Sequence, residues 1–256
     1  MAKADVQVEI KSGDLSKEQL QSVKNITGTL TEFFAGQAKK IAAKVSALYA
    51  EATKKDTPQE KADRIINAVN MEEWDLVATE LQDDLGGAFE QTAQVILGKL
   101  DISDPDIFDL VNERSVEYAD ETAADLVTQI SETTRDRLRS LVADAIENAQ
   151  GVNELKAAIQ DSELFSADRA ELIARTEIGN AHMAGALEGA KASGLAMMKM
   201  VLRGSQEFDC EICGDNEDAG LIGLTELFPS GDEAPLFHPR CECTIIFSVA
   251  SVEAGA

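Results

Sequence analysis

Five candidate metal donors crowd the last fifth of this sequence, and they constrain its fold more than any other feature. Cys210 and Cys213 form a C-x2-C pair, and after 24 intervening residues His238, Cys241 and Cys243 form an H-x2-C-x-C cluster. A zinc ion in a structural site takes four nitrogen or sulfur donors, and a C-x2-C turn supplies two of them at a suitable separation. The spacing therefore predicts one structural zinc ion that cross-links the C-terminal part of the chain.

Other interpretations of this cluster stay open on the sequence alone. The cysteines could be small buried apolar residues, or the C-x2-C could be a disulfide or redox pair, although no thioredoxin-like βαβ pattern flanks it. A catalytic zinc would need a vacant coordination position and a nearby general base, which a chain with two histidines supplies poorly. We favour Cys210, Cys213, His238 and Cys241 as the four ligands, because alternate residues of an extended strand point to opposite faces. A tight turn would be needed to bring Cys243 to the metal as well.

The composition limits the partners that the chain can have. It carries 23 Lys or Arg against 47 Asp or Glu, a formal net charge of −24, while 44% hydrophobic residues suffice for a packed core. A strongly acidic surface repels phosphate backbones, so direct nucleic-acid binding over a broad surface is disfavoured. No stretch approaches the roughly 18 to 20 apolar residues of a membrane span, and the start lacks the apolar core of a signal peptide. We expect a soluble protein without a membrane partner.

Few prolines and glycines interrupt the chain before residue 195, so the sequence predicts mostly long helices there. The first is expected over residues 16–52. A capping threonine, a proline and a glutamate within residues 57–60 open a second one. A third is expected over residues 75–100, loosened near Gly86 and Gly87.

A connector at residues 101–106 is the predicted domain boundary. Beyond it we expect helical or turn-linked segments up to residue 150, a short helix over 152–160 and a long one from Ser166 to Gly194. Then come a strand in MMKMVLRGS, a turn-rich knuckle over 210–218 and a strand in TIIFSV. The predicted class is mainly α: a helical N-terminal region (1–102), then a helical plus small α+β C-terminal domain (103–250) stapled by zinc.

Several enzyme templates fail on this sequence. The H-x-E and P-C-x2-C elements of zinc deaminases, the G-x-S-x-G elbow and the G-x4-G-K-[ST] phosphate loop are all absent. A zinc nuclease would need more histidines than His182 and His238. Arg175 and Glu177 could be a catalytic pair, but no nucleophile accompanies them, and we favour hydrogen bonds that tie their helix to the zinc-bearing segment. We expect a protein that is not an enzyme. The alternative is a zinc-finger nuclease or another nucleic-acid enzyme of DNA packaging.

The order of the motifs points to a family. ISETTRDRLRSLVADAIENAQG, then IARTEIGNAHMAGALEGAKASG, then the C-x2-C pair and HPRCEC resemble, over about residues 108–249, the C-terminal domain of the phage Mu F-like minor head proteins. The resemblance implies a minor capsid protein of a tailed phage that acts in head assembly or DNA delivery. The family motif falls here on Arg175, Thr176, Glu177, Asn180, Cys210, Cys213, His238, Pro239, Cys241 and Cys243.

The same resemblance implies partners and a location. The expected partner is the portal protein, with the major capsid or scaffold protein as further candidates. The protein would then reside in the virion, in the capsid interior or at the portal vertex, and in the host cytoplasm during assembly. The first hundred residues match no family that we can name. We assign them to partner docking because their amphipathic helices carry Phe33, Phe34, Trp74 and Phe89.

Overall fold

Helices make up most of the computed structural model, which describes residues 7–51, 57–69, 72–204 and 210–249. The helices are α1 (Lys17–Glu51), α2 (Pro58–Asn67), α3 (Asp75–Lys99), α4 (Pro105–Glu147), α5 (Val152–Gln160), α6 (Ala167–Ala192) and α7 (Glu211–Asp218). The strands are β1 (Gln7–Lys11), β2 (Met197–Leu202), β3 (Ile222–Gly223) and β4 (Thr244–Val249). The predicted class, mainly α with a small sheet, is confirmed.

Capping side chains fix the starts of the first two helices. Ser16 Oγ accepts a hydrogen bond from the Gln19 amide (3.1 Å), and Gln19 Oε1 accepts one from the Ser16 amide (2.9 Å). Thr57 and Glu60 make the same reciprocal pair before α2. Each pair satisfies amide groups that a helix start otherwise leaves without partners. Both predicted starts are confirmed, whereas the predicted end of the first helix at Ala52 lies outside the described residues.

One local prediction was right only in part, and two were wrong. Of the helical or turn-linked segments expected up to residue 150, residues 105–147 are helical but form the single helix α4. Helix α7 occupies most of the predicted turn-rich knuckle. Helix α3 continues without a break through Gly86, where a Cβ atom would lie 3.2 Å from the Ser115 carbonyl oxygen. This glycine therefore serves close helix packing and does not loosen the helix.

The sheet joins the two ends of the described chain. Its strand order is β1-β4-β2-β3, and each neighbouring pair is antiparallel. Ile10 of β1 pairs with Ile245 of β4, and Leu202 of β2 pairs with Thr244 of β4. Strand β1 was not predicted from the sequence, although Val8 and Ile10 alternate with polar residues as in a half-buried strand. The small sheet is therefore not purely C-terminal.

Two compact units form, and each combines separate stretches of the chain. The first comprises Met1–Val23, Asp83–Ala119 and Ala174–Ala256, and the second comprises Lys24–Gln82 and Asp120–Ile173. This grouping differs from the predicted boundary near residue 102. The reason is that β1, the start of α1 and much of α3 belong with the C-terminal sheet.

Each unit has its own apolar core. In the first, α6 and the sheet bury Met183, Leu187, Ile245 and Phe247 together. In the second, the rings of Phe34, Trp74 and Phe165 pack at centroid distances of 6.3 and 6.4 Å from Phe34. Within the described ranges, none of the helices is both long enough and apolar enough to span a bilayer.

Candidate metal centre

Antiparallel strand pairing brings the two donor clusters to one place. Leu202, the last residue of β2, pairs with Thr244, the first residue of β4. Cys210 lies at the N-terminal end of α7, which follows β2, and Cys213 lies within its first turn. Cys243 directly precedes β4. The end of one strand thus lies beside the start of the other, so donors far apart in sequence meet in the first unit.

A turn positions the second cluster. The Cys241 amide donates a hydrogen bond to the His238 carbonyl oxygen (3.1 Å). Pro239 occupies the second position of this turn, and Arg240 occupies the third with φ 64°. Proline followed by a residue with positive φ is the pattern of a type II turn. This turn brings His238 close to Cys241. The Cys243 sulfur also approaches the other donors, since it lies within 4.8 Å of the Cys213 and Cys241 sulfurs.

A glycine allows the two chain segments to pass each other. A Cβ atom on Gly204 would lie 2.3 Å from the carbonyl oxygen of Glu242, closer than real Cβ atoms come. Because the obstacle is backbone, no side-chain rotation would relieve the contact. Gly204 is thus a structural requirement of the donor cluster, although it donates nothing to it.

The donor atoms lie at distances that suit a tetrahedral ion. His238 Nε2 lies 3.3 Å from Cys210 Sγ and 3.2 Å from Cys213 Sγ, and Cys213 Sγ lies 3.9 Å from Cys241 Sγ. Metal–sulfur bonds of about 2.3 Å in a tetrahedron would separate two sulfurs by about 3.8 Å. Two groups able to hold a metal ion result: Cys210, Cys213 and His238, and Cys213, Cys241 and Cys243, the ligand atoms of each lying within 4.8 Å of one another. Cys213 belongs to both.

The surroundings of the donors also fit a bound cation. His238 Nδ1 lies 2.9 Å from the Pro239 carbonyl oxygen, and its donation there directs the Nε2 lone pair at the sulfurs. Metal-binding histidines usually have such a hydrogen bond on the other ring nitrogen. Cys213 and Cys243 are fully buried and Cys241 is nearly so, among Val201 and Phe228. All four cysteines are free thiols.

Protonation of the thiols is unequal. A hydrogen bond from the Cys243 thiol lowers the pKa of Cys241 to about 5, and the same bond together with burial raises the pKa of Cys243. Burial raises the pKa of Cys213 to about 12. A hydrogen bond from the Cys213 amide lowers the pKa of Cys210. Cys241 and Cys210 are therefore the thiols that ionise first, one in each cluster.

A buried lysine orders the loop between the clusters, and the sequence analysis missed it. Lys199 on β2 is fully buried, and its Nζ donates to the carbonyl oxygens of Leu224 (2.8 Å) and Glu233 (2.7 Å). The ammonium group also lies 5.3 Å from the centroid of the Phe228 ring. The available sequence signal was its place between Met197 and Val201, both of which point from the same strand face into the core.

The carried-over motif residues of α6 lie next to this loop. Asn180 donates a 3.3 Å hydrogen bond to Glu177, and burial raises the pKa of Glu177. A Cβ atom on Gly179 would lie 2.8 Å from Leu236 Cδ1, so α6 touches the chain two residues before His238. The expected hydrogen bonds of Arg175 and Glu177 to the metal-bearing segment stay a prediction. The contact between α6 and this segment that the structure shows is the packing of Gly179 against Leu236.

The remaining motif residues are more exposed. Arg175 and Pro239 are exposed, and Thr176 is half-buried. Their assignment as motif residues stays a prediction.

The second histidine, His182, is buried among hydrogen-bonding side chains of neighbouring helices. His182 is buried in the first unit, where its Nδ1 lies 3.1 Å from Gln19 Nε2 and 2.8 Å from Thr92 Oγ1. Burial lowers its pKa. These contacts link α1, α3 and α6 through one polar cluster inside the unit.

The chain matches no family model, no curated protein and no solved structure. The phage Mu F-like resemblance therefore depends on the sequence motifs alone.

Proposed function

We propose that this chain is a non-enzymatic minor capsid protein of a tailed phage, built around one structural zinc ion. The observation that carries the proposal is the meeting of Cys210, Cys213, His238, Cys241 and Cys243 in two groups that share Cys213. Cys213, Cys241 and Cys243 are buried, whereas Cys210 and His238 are half-buried. Their order along the chain is that of the family motif. Zinc suits this donor set, because thiolates and an imidazole are its usual ligands in structural sites.

Four of the five donors hold the metal: Cys210, Cys213, Cys241 and His238. His238 Nε2 faces two sulfurs, and its ring is already oriented by the Pro239 carbonyl group. Cys243 then acts as a hydrogen-bond donor to the Cys241 sulfur, which is how protein groups around a metal site tune its ligands.

Cobalt substitution tests this ligand set. Cys243→Ser should keep one metal ion per chain and leave the cobalt–thiolate absorption close to that of the wild type. His238→Ala should lower metal affinity and shift the cobalt spectrum. The assignment fails if Cys243→Ser removes a thiolate from the spectrum while His238→Ala changes nothing.

A folding role for the zinc supports the non-enzymatic assignment. When bound, the ion would cross-link the start of α7 to the segment before β4 and so add its binding free energy to the stability of the fold. The nuclease alternative gains no support from His182, which is buried among helices of the first unit. We expect no cleavage of plasmid DNA by the zinc-loaded protein with added Mg²⁺ or Mn²⁺. Cleavage that co-purifies with the chain and disappears in Cys213→Ser would favour the alternative.

The proposed location is the virion, at the portal vertex or in the capsid interior, with the host cytoplasm as the place of assembly. The proposed partner is the portal protein, and the major capsid or scaffold protein is a further candidate. Co-expression with the portal protein of the same phage tests this role. We expect the full chain to co-purify with the portal ring at a fixed stoichiometry by native mass spectrometry. A chain that never associates with the ring and is absent from purified heads would contradict the proposal.

A further inference from the structure

A groove of about 540 Å³ runs along the second unit between α1 and the start of α3. Its walls are Lys24, Asn25, Gly28, Thr29, Glu32 and Phe33 on one side, and Glu73, Leu76, Val77 and Glu80 on the other. We propose that this groove docks an amphipathic helix of a partner protein, with basic residues flanking its apolar face. The proposal rests on the proposed function, for which it supplies a docking surface.

The groove is lined in part by apolar side chains that are not buried in the core. Of the aromatic residues assigned to docking from the sequence, Phe34, Trp74 and Phe89 are buried, at 0%, 2% and 5% exposure. Phe33 is only half-buried, and its ring meets the Trp74 ring edge-on at 4.9 Å. Leu76 is 69% exposed beside it. The groove therefore offers an aromatic floor and an uncovered leucine to an apolar side chain.

The floor also contains a glycine that the chain's own packing does not explain. Gly28 lies in the interior of α1, where a glycine costs roughly 1 kcal/mol relative to alanine. No atom of the described residues would lie within 4 Å of a Cβ atom there. Open space above a helix-interior glycine lets a second backbone approach closely. The lining of α1 extends from Lys24 to Phe33, roughly 14 Å along the axis, which matches a partner helix of about three turns.

The acidic residues of the groove lining favour a partner with basic residues. The groove lining carries three carboxylates, Glu32, Glu73 and Glu80, against the single ammonium group of Lys24. Lys40 pairs with Glu73 at 2.5 Å. Glu32 and Glu80 are exposed and make no ion pair with any residue in the part of the chain that the structure describes, so lysine or arginine residues of a partner can reach them. Complementary rim charges favour correct orientation and fast association. A second copy of this chain, at a net charge of −24, would bring like charges to an acidic rim.

A synthetic peptide tests the groove on the full chain. The probe is a labelled three-turn helix with leucines at i, i+3/i+4 and i+7 and lysines elsewhere, and its scrambled form serves as a reference for unspecific attraction. We expect fluorescence anisotropy to show binding of the helical peptide that weakens as salt is added. The scrambled peptide should bind about tenfold more weakly or worse. Equal binding of both peptides would overturn the proposal.

Two variants fill or charge the groove without touching the core. Gly28→Leu places a side chain in open space, so the chain should remain folded while peptide affinity falls about tenfold or more. Leu76→Glu should have a similar effect. Matched controls are Gly87→Leu, also with nothing within 4 Å of its Cβ, and Leu110→Glu, at another exposed leucine. If the controls weaken binding as much as the groove variants do, the groove is not the docking site.

The remaining outcomes separate this inference from the proposed function. Self-association of the wild type that Gly28→Leu abolishes would assign the groove to a second copy and overturn the proposal. If Gly28→Leu still co-purifies with the portal ring at wild-type stoichiometry, the head-protein role stands and the groove does not supply it. A third outcome is that Gly28→Leu abolishes peptide binding while the wild-type chain does not bind the portal ring. The groove would then be a docking site, and the proposed function would be wrong.

Discussion

Two glycines of α6 determine how closely that helix packs on α3 within the first unit. A Cβ atom on Gly185 would lie 2.1 Å from the carbonyl oxygen of Phe89, and one on Gly189 would lie 2.6 Å from that of Ala93. The obstacles are backbone atoms. The two helices can therefore keep this spacing only with glycine at both positions.

We expect Gly185→Ala to lower the free energy of unfolding by about 3 kcal/mol, because the helices must move apart to admit the methyl group. The control is Gly87→Ala in α3, where nothing lies within 4 Å and the helix should gain up to about 1 kcal/mol. Urea denaturation followed by circular dichroism measures both. Similar effects of the two substitutions would contradict the observed packing.

Lys199 gives stability a defined pH dependence. Burial lowers its pKa from 10.5 to about 8, partly opposed by Glu233 and Glu226 and assisted by Lys191. Between about pH 8 and 10.5 the unfolded chain thus binds a proton that the folded chain has released, so stability attributable to this residue rises with pH. The neutral amine can still donate to both carbonyl oxygens.

The measurement compares the wild type with Lys199→Met across that pH window. The free energy of unfolding of the wild type should rise relative to the variant, by at most about 3 kcal/mol. Subtracting the free energy of unfolding of Lys199→Met from that of the wild type removes the contributions of the other titrating groups. A difference that stays constant or falls with pH would show that Lys199 is not held as a buried cation.

The role of a residue could be predicted from the sequence where it depends on the spacing between neighbouring residues in the chain. The five candidate donors, which the structure brings into groups able to hold a metal ion, stood out because C-x2-C and H-x2-C-x-C are local patterns with a known coordination geometry. Lys199 and Gly204 were missed because their roles depend on what approaches them: the carbonyl groups of Leu224 and Glu233, and the backbone of Glu242. Such contacts arise from the tertiary fold and leave little trace in sequence.

Among the helices and strands, β1 makes a contact between residues that are far apart in the sequence, because it pairs with β4. Val8 and Ile10 are buried against α6 and the sheet, and β1 pairs with β4 along its length. The N-terminal strand therefore supports the element that follows the second donor cluster. Alternating residues near the start of the chain could have indicated a strand, but a single short strand does not reveal its partner.

We expect Ile10→Ala to lower the free energy of unfolding by about 3 kcal/mol, since a buried side chain is truncated. It should also speed amide exchange along β4. The control Glu9→Ala, on the exposed face of the same strand, should change stability by less than about 0.5 kcal/mol. Unchanged exchange in β4 after Ile10→Ala would contradict the role of β1.

Helix boundaries were predictable where caps or stops occur. The Ser166 hydroxyl accepts a hydrogen bond from the Arg169 amide at the start of α6, and Gly194 follows its end with φ 66°, as expected. The expected division of the chain up to residue 150 into several segments was wrong, because α4 is one helix of 43 residues. The continuity of a long helix depends on the packing along its length, which periodicity over short windows does not reveal.

For the whole molecule, chain order and compact units do not coincide. Each unit takes residues from both sides of residue 102. Removing residues 1–102 would delete β1, α1 and α3, and with them part of the core of the first unit. Point variants such as Gly28→Leu therefore test the predicted docking role of the N-terminal region better than a truncation does.

We propose that the two donor clusters together hold one zinc ion. Native mass spectrometry of the full chain, purified without chelators, counts the zinc ions bound to each chain. We expect one zinc ion per chain for the wild type and for Ile212→Ser, an exposed position between the two cysteines of the C-x2-C pair. We expect none for Cys213→Ser, because Cys213 belongs to both donor groups. Less than about a tenth of an equivalent in the wild type, or full occupancy in Cys213→Ser, would contradict it.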